Sequence, residues 1–470
     1  MEFERHGKNQ LHIQFMKSQS VTILGGGITG LASAYLLAKN GVKVRVIEGS
    51  SQFGGLMNTF LIGGTRLEHF YHHFFTHDTE INWLLADLGL ADKISFRKTS
   101  MGVFRNGKAF DFNGPADLLG FSPMDWPGKI RFATTSLYLG RFAKWQDGED
   151  IPALDWFYRY AGRSATDSLW RPLLEIKFGP YHDRVPIAWM IGRLAQRMQS
   201  RQAGEERLGY LEGSLHTLRE RLLQRLREMG VELVSDAPIE SLEIPHGRLQ
   251  AVQTPKGRFA DGDFIATLPT TYLAPLLQAA GATSLAASLS KIEYFGAVCG
   301  ILEMKKPLGR HYWLNVAEPG LPFGGIIEHT HFIDPEVYGG KHIAYLSRYF
   351  ASEEEIASMD EEPLRELFLA GVSKVYPHFR REDLSQFHMF RTRTAATVCD
   401  LRFSEKVPDC KTGIHGLYLS NMAHVYPDER SVNNSIRVAC ETLRVMGHDS
   451  SMVPKGRSLS GLLGFGFESE

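Results

Sequence analysis

The chain has 470 residues, a formal net charge of −1, and 43% hydrophobic and 11% aromatic residues. That length accommodates two domains with sizeable cores, the neutral balance gives no field for nucleic acid, and the aromatic content excludes a disordered chain. No apolar run of ~18 residues occurs, so no transmembrane segment is expected. In chain order, residues 1–19 contain "MEFERHGKNQLHIQF". This stretch lacks the apolar core of a signal peptide and is read as a disordered arm or a start-site artefact before Met16.

Residues 21–50, "VTILGGGITGLASAYLLAKNGVKVRVIEGS", carry the first strong pattern. A short apolar strand (21–24), Gly25, Gly27 and Gly30 in G-x-G-x-x-G spacing, a helix (31–39), a second strand (42–47) and Glu48 follow one another. Gly25 makes the tight turn, Gly27 and Ile28 let a pyrophosphate approach the helix N-terminus, and Gly30 lets helix and strand sit close. Glu48, near the expected ~20 residues downstream, is placed to accept from ribose hydroxyls. The cofactor is therefore a dinucleotide. Gly54 and Gly55, followed by Leu56, form a second glycine turn. A nicotinamide site has no need of it; FAD does, because the chain must pass close to the extended cofactor.

This arrangement resembles the flavoprotein group containing amine oxidases, protoporphyrinogen oxidase, phytoene desaturases and UDP-galactopyranose mutase. In that group an Arg usually follows the second glycine pair. Leu56 in its place speaks against a typical amine oxidase, and less against the protoporphyrinogen-oxidase-like and mutase-like branches. The resemblance implies an α/β fold: a Rossmann-like FAD-binding domain interleaved with an α+β substrate domain of antiparallel sheet and helices. The expected segments are 20–95, 206–280 and 399–450 for the FAD domain, 96–205 for a helical cap, 281–398 for the substrate sheet and 451–470 for a poorly packed tail.

The stretch "RLEHFYHHFFTHD" (66–78) concentrates histidines. Without a carboxylate–His or Cys–His pair of known ligand spacing, no metal is expected. Satisfied structural histidines are one reading. The other comes from the resemblance: in the mutase-like pattern H-x-F-H-T, His-containing residues lie against the flavin. His73 and Phe75 match, while Thr76 and His77 are transposed. His73 is thus a candidate acid–base group titrating near working pH, with His72 as runner-up. Farther on, "KIRFATTSLYLGRFAKW" (129–145) reads as a core or pocket helix, or as one lying on a membrane surface.

Residues 215–229 form an amphipathic helix, and 231–234, 239–244 and 264–267 read as strands. The resemblance implies that the backbone of Ile239 touches adenine. "FGAVCGILEM" and "HIAYLSRYF" read as strands of the substrate sheet. Within "IIEHTHF", His329 and His331 are expected on one strand face, and within "FRTRTAAT" Arg391 and Arg393 on another, as candidates to clamp an anionic group. The closing strand (417–419) leads to Asn421, where the family carries a ribityl-binding acid. Ser431, Asn433 or Asn434 caps a helix running to about Met446, with its N-terminus toward the flavin. Cys299, Cys399, Cys410 and Cys440 form no C-x-x-C pair and suit free thiols in a reducing, cytoplasmic compartment.

The implied function is an FAD-dependent oxidoreductase of protoporphyrinogen oxidase or amine oxidase type, taking a hydride from a C–N or C–C bond of a bulky, partly apolar small molecule. A mutase-like flavoenzyme acting on a nucleotide sugar and a non-catalytic flavin-binding protein are the rival readings. Composition leaves the substrate and the oligomeric state open.

Overall fold

The computed structural model describes residues 19–199, 201–202, 205–456 and 463–465. Of the expected arm at 1–19, residues 1–18 lie outside the described residues. Five short apolar runs from distant parts of the chain assemble into one parallel sheet. Its strand order is Glu232–Val234, Lys43–Ile47, Ser20–Leu24, Asp263–Ala266 and Leu417–Leu419. The central strands Ser20–Leu24 and Asp263–Ala266 are buried on both faces and read as near-continuous apolar runs, whereas Lys43–Ile47 alternates and the edge strand Glu232–Val234 is only partly covered. The Ile28–Lys39 helix lies on one face with the Val432–Val445 helix against it, and Gly30 to Leu37 are buried without a break. Leu242, Leu273 and Leu277 close the other face.

Ser431 caps the Val432–Val445 helix by accepting from the Asn434 N–H at 3.0 Å, and Gly447, at φ +80°, ends it. This puts the first turn of that helix beyond the end of the Leu417–Leu419 strand.

The second sheet has seven strands, ordered Leu384–Thr397, Tyr294–Met304, His342–Phe350, Gly325–Glu328, Trp313–Val316, Met101–Arg105 and Lys108–Asp111. Two findings correct the sequence reading. Met101–Arg105 and Lys108–Asp111 come from the segment expected to be helical, and Met101–Arg105 joins Trp313–Val316 in parallel, so the sheet is mixed. The hairpin turns at Asn106 and Gly107, both at positive φ, the signature of a two-residue turn.

The remaining helical segment, Ala153–Tyr160, Arg171–Phe178 and Ile187–Gln199, packs an aromatic core. Phe157 stacks on Trp170 at 4.5 Å between centroids, and Phe178 meets Trp189 edge-on. The Trp126–Arg141 helix packs against this core through Leu139 and Phe132, in line with the core reading, and none of its residues lines the cavity described below, contrary to the pocket reading. The tail is also better packed than expected in its described part: Val453 and Phe465 are buried. Among the described residues no helix is long and apolar enough to cross a membrane.

Candidate active site

All five parallel strands end, at their carboxyl edge, on one cavity of about 1230 Å³. Gly25, Glu48, Ala237, Thr267 and Asn421, each within three residues of a strand end, line it. Cavities outside the carboxyl ends of parallel strands are the ligand sites of open α/β sheets. Here the cavity continues to the face of the second sheet and to the helices bearing Lys177 and Arg193. Its size exceeds the ~300–1,000 Å³ of a usual single-ligand pocket and suits a cofactor with a substrate beside it.

The glycine turns fit a dinucleotide. Gly25 sits at φ +112°, and its N–H donates to Ile47 O at 2.8 Å. A Cβ on Gly30 would lie 2.0 Å from Gly25 O, so only glycine allows the helix this close to the loop. A Cβ on Gly27 would meet nothing within 4 Å, because that side of the loop faces the cavity. Gly27, Ile28 and Thr29 therefore offer the helix N-terminus to a ligand. Gly54 (φ +130°) donates its N–H to Gly26 O at 2.8 Å, so the second turn braces the first. Gly54, Gly55 and Leu56 line the cavity, as does Ile239. The Glu48 carboxylate is held by the N–H groups of Gly26 (2.8 Å) and Ser50 (2.9 Å) and by the Ser50 hydroxyl.

Asn421 lines the cavity too, but its amide is engaged, accepting from Ala423 N and donating to Leu268 O. One carbonyl lone pair remains for a ligand. Asn433 does not line the cavity: it accepts from Ile81 N and donates to Glu80. The phase of the helix turns Val432 and Ser435 to the cavity instead.

His72 and His73 both line the cavity, on an irregular stretch before the Phe74–Phe75 strand rather than on a helix. His73 Nδ1 is buried and unpartnered, and Phe75 and Trp313 meet its ring edge-on. Its expected titration near working pH is overturned. Burial, with Arg197, Arg193 and His72 adding to it, pushes His73 down to about 3. Burial pushes His72 down to about 4, and its Nδ1 pairs with Phe70 O. Both rings are neutral throughout the working range, so they can donate or accept hydrogen bonds but are poor bases.

Two other candidates fall away from the cavity. His329 is fully buried behind the second sheet, on a 3-10 turn rather than a strand, with Nε2 2.7 Å from Tyr338 Oη. Arg393 is exposed and outside the lining, since strand alternation sends Thr392 and Thr394 inward. Arg391 borders the cavity but spends its guanidinium on Ala357 O and Met359 O.

The sequence reading missed a cation cluster on the substrate side. Lys177, Arg193 and Arg430 line the cavity together with the carboxylate of Glu429, and Glu206 acts on Arg193 from outside the lining. Glu429 pairs with Arg193, and with Lys177 at 3.3 Å. Arg430 donates to the Tyr349 hydroxyl and lies over its ring, 5.4 Å from the centroid. Burial, then repulsion from Arg193, lowers Lys177 to about 7. Burial works against ionisation of Tyr349, but Arg430, Lys177 and Arg193 outweigh it and bring the phenol below its ordinary value. Trp170, Leu173, Ile176, Trp189 and Trp313 supply an apolar wall beside these charges.

Comparison with known proteins agrees with this geometry. Residues 28–398 match the family described as flavin containing amine oxidoreductase. Over 167 residues the chain is 25% identical to protoporphyrinogen oxidase 2, chloroplastic/mitochondrial, of Arabidopsis thaliana, covering 34% of this chain and 33% of that protein. The match thus spans about a third of that curated relative's length. The fold is shared with reduced UDP-galactopyranose mutase at 16% identity and a TM-score of 0.70, covering 92% of this chain and 96% of that one. It is shared equally with cyclohexylamine oxidase from Brevibacterium oxydans at 14% identity and a TM-score of 0.70, covering 92% and 99%. One fold thus hosts different chemistries, and the site has to decide between them. With the glycine turns and the cavity at the strand ends in agreement with the family match, the chain belongs to the flavin containing amine oxidoreductase family.

Proposed function

We propose that the protein is an FAD-dependent oxidoreductase of the protoporphyrinogen oxidase or amine oxidase type, and that its substrate is a bulky, partly apolar molecule bearing an anionic group. Bound FAD would supply the two-electron acceptor for a hydride from a C–N or C–C bond. Gly27, Ile28 and Thr29 would hold the pyrophosphate, Glu48 the adenosine ribose, and the start of the Val432–Val445 helix the flavin's pyrimidine end. The observation that carries the substrate class is the Lys177–Arg193–Arg430 cluster, which Glu429 within the lining compensates only in part, beside an aromatic wall. An ammonium entering there meets excess positive charge; a carboxylate or phosphate meets its complement. His73, neutral and unpartnered, would orient the reacting groups by a hydrogen bond rather than move a proton. The buried free cysteines suit a cytoplasmic setting.

Anaerobic stopped-flow mixing with a substrate panel tests the reading. Bleaching of the oxidised flavin by anionic, apolar substrates supports it. The cations also suit the diphosphate of a nucleotide sugar, and turnover of such a sugar only after dithionite reduction would favour the mutase-like reading. A flavin inert to both would favour a non-catalytic binder.

Two expected outcomes follow from the same residues. Glu48→Gln removes a charged acceptor from the ribose, worth about 1.5–3 kcal/mol. FAD affinity should fall by about tenfold to a hundredfold, measured by fluorescence titration of the apoprotein. The second concerns pH. Lys177 titrates near 7, so it is charged below that pH and neutral above it. KM for an anionic substrate should rise as pH climbs through 7, and Lys177→Met should flatten that limb of the profile.

A further inference from the structure

The Trp126–Arg141 helix is amphipathic in the wrong sense for a surface helix of a water-soluble domain. Its polar and small residues Gly128, Lys129 and Thr135, with Leu139, face the protein. Its outer face carries Trp126, Ile130 and Leu137, exposed by 62%, 63% and 52%, with exposed Ala133 between them. At about 100° per residue these four fall on one stripe along the helix. Leu119, Tyr138 and Phe142 extend the apolar surface, and Phe142 is 72% exposed.

The charges around the stripe are mostly positive, with Asp125, the N-cap before Trp126, as the acid at its start. The helix contains Lys129, Arg131 and Arg141 and no acidic residue, and Lys144 follows it. Arg131, Arg141 and Lys144 are exposed. An apolar stripe with aromatic members and flanking cations is the pattern of a helix that lies in a bilayer interface, with side chains in the acyl boundary and guanidinium groups at anionic headgroups. We propose that this face docks the protein on an anionic phospholipid surface. A second copy is the poorer occupant: two-fold pairing through the stripe would set two net-positive faces against each other, with Asp125 as the helix's own acid against Arg131, Arg141 and Lys144. The face also stands close to the cavity. Phe132, on the inner side of the helix, stacks on Trp170 at 5.0 Å between centroids, and Trp170 lines the cavity. The helix and the Phe132–Trp170 ring pair therefore separate the docking face from the site that would receive a partly apolar substrate. The inference does not depend on which substrate that is.

Co-sedimentation of the full-length holoprotein with vesicles tests it. One set is phosphatidylcholine with one third phosphatidylglycerol, the other pure phosphatidylcholine. The wild type is expected to partition onto the anionic vesicles at least about tenfold more strongly, and high salt should weaken that binding. The double variant Ile130→Glu/Leu137→Glu should lose about tenfold or more of the partitioning while keeping its flavin and its melting temperature. Should that variant not fold, Arg131→Gln/Arg141→Gln carries the test, and its anionic-vesicle binding should fall toward the phosphatidylcholine level. Wild type left in the supernatant with both vesicles would overturn the proposal, as would folded variants that pellet like wild type. A dimer in sedimentation velocity that Ile130→Glu/Leu137→Glu dissociates, without vesicle binding, would assign the face to a second copy and overturn it equally.

Discussion

Gly30→Val is expected to yield protein carrying less than about a tenth of the wild-type flavin. The added Cβ would stand 2.0 Å from Gly25 O and 3.2 Å from both the Gly25 carbonyl carbon and Thr267 Oγ1. Backbone cannot give way as a flexible side chain would, so the helix must move off the loop. Overpacking a core typically costs about 1–3 kcal/mol, and a clash with backbone belongs at or above the upper end. The displacement falls on Gly27 and Ile28, the residues that would meet the pyrophosphate. The ratio of flavin to protein absorbance reads the loss, and a lowered apoprotein melting temperature should accompany it. Gly27→Ala separates the two effects. Gly27 has φ −73°, and its added Cβ meets no protein atom within 4 Å. The apoprotein should melt as wild type, while FAD affinity falls because the methyl occupies the ligand's side of the loop. Gly30→Val that stays fully yellow would contradict the close-approach argument.

The second large effect is expected at the cation cluster. Lys177→Met together with Arg430→Met removes two of the three positive side chains and leaves Arg193 paired with Glu429. Each charge-assisted contact to an anionic substrate is worth about 1.5–3 kcal/mol. Both together should lower kcat/KM by about a hundredfold or more. The loss should appear for the carboxylate or phosphate substrate and remain within about threefold for its neutral ester. Flavin content should not change, because neither residue belongs to the glycine turns or to Glu48. Equal losses on both substrates would mean that the cluster shapes the cavity instead of reading charge.

The glycine spacing was legible because each glycine answers a backbone demand that no other residue meets, at Gly25 for its φ and at Gly30 for its contact. The Leu417–Leu419 strand and the Ser431 cap were legible because capping and strand signals are local. The hairpin at 101–111 had its Asn106-Gly107 signal in plain view, but the surrounding helical composition masked it. Lys177 was hidden for another reason. A single lysine near the end of an apolar helix looks like a solvated end, and only the assembled fold puts Arg193 and Arg430 around it. The acid–base reading of His73 failed for the same cause, since the desolvation that lowers it comes from residues distant in sequence. Asn433 and Ser435 differ by two helical positions, and the side of the helix facing the cavity follows from packing that neither residue announces.

The central claim is that this cavity holds FAD without a covalent bond. Cys299, Cys399, Cys410 and Cys440 are buried, and none of them lines the cavity. Heat or acid precipitation of the purified yellow protein, followed by chromatography of the supernatant, tests the claim most directly. The account predicts FAD in the supernatant in near-equimolar amount to the chain, and a colourless pellet. Release of FMN, or colour that stays with the precipitate, would contradict it.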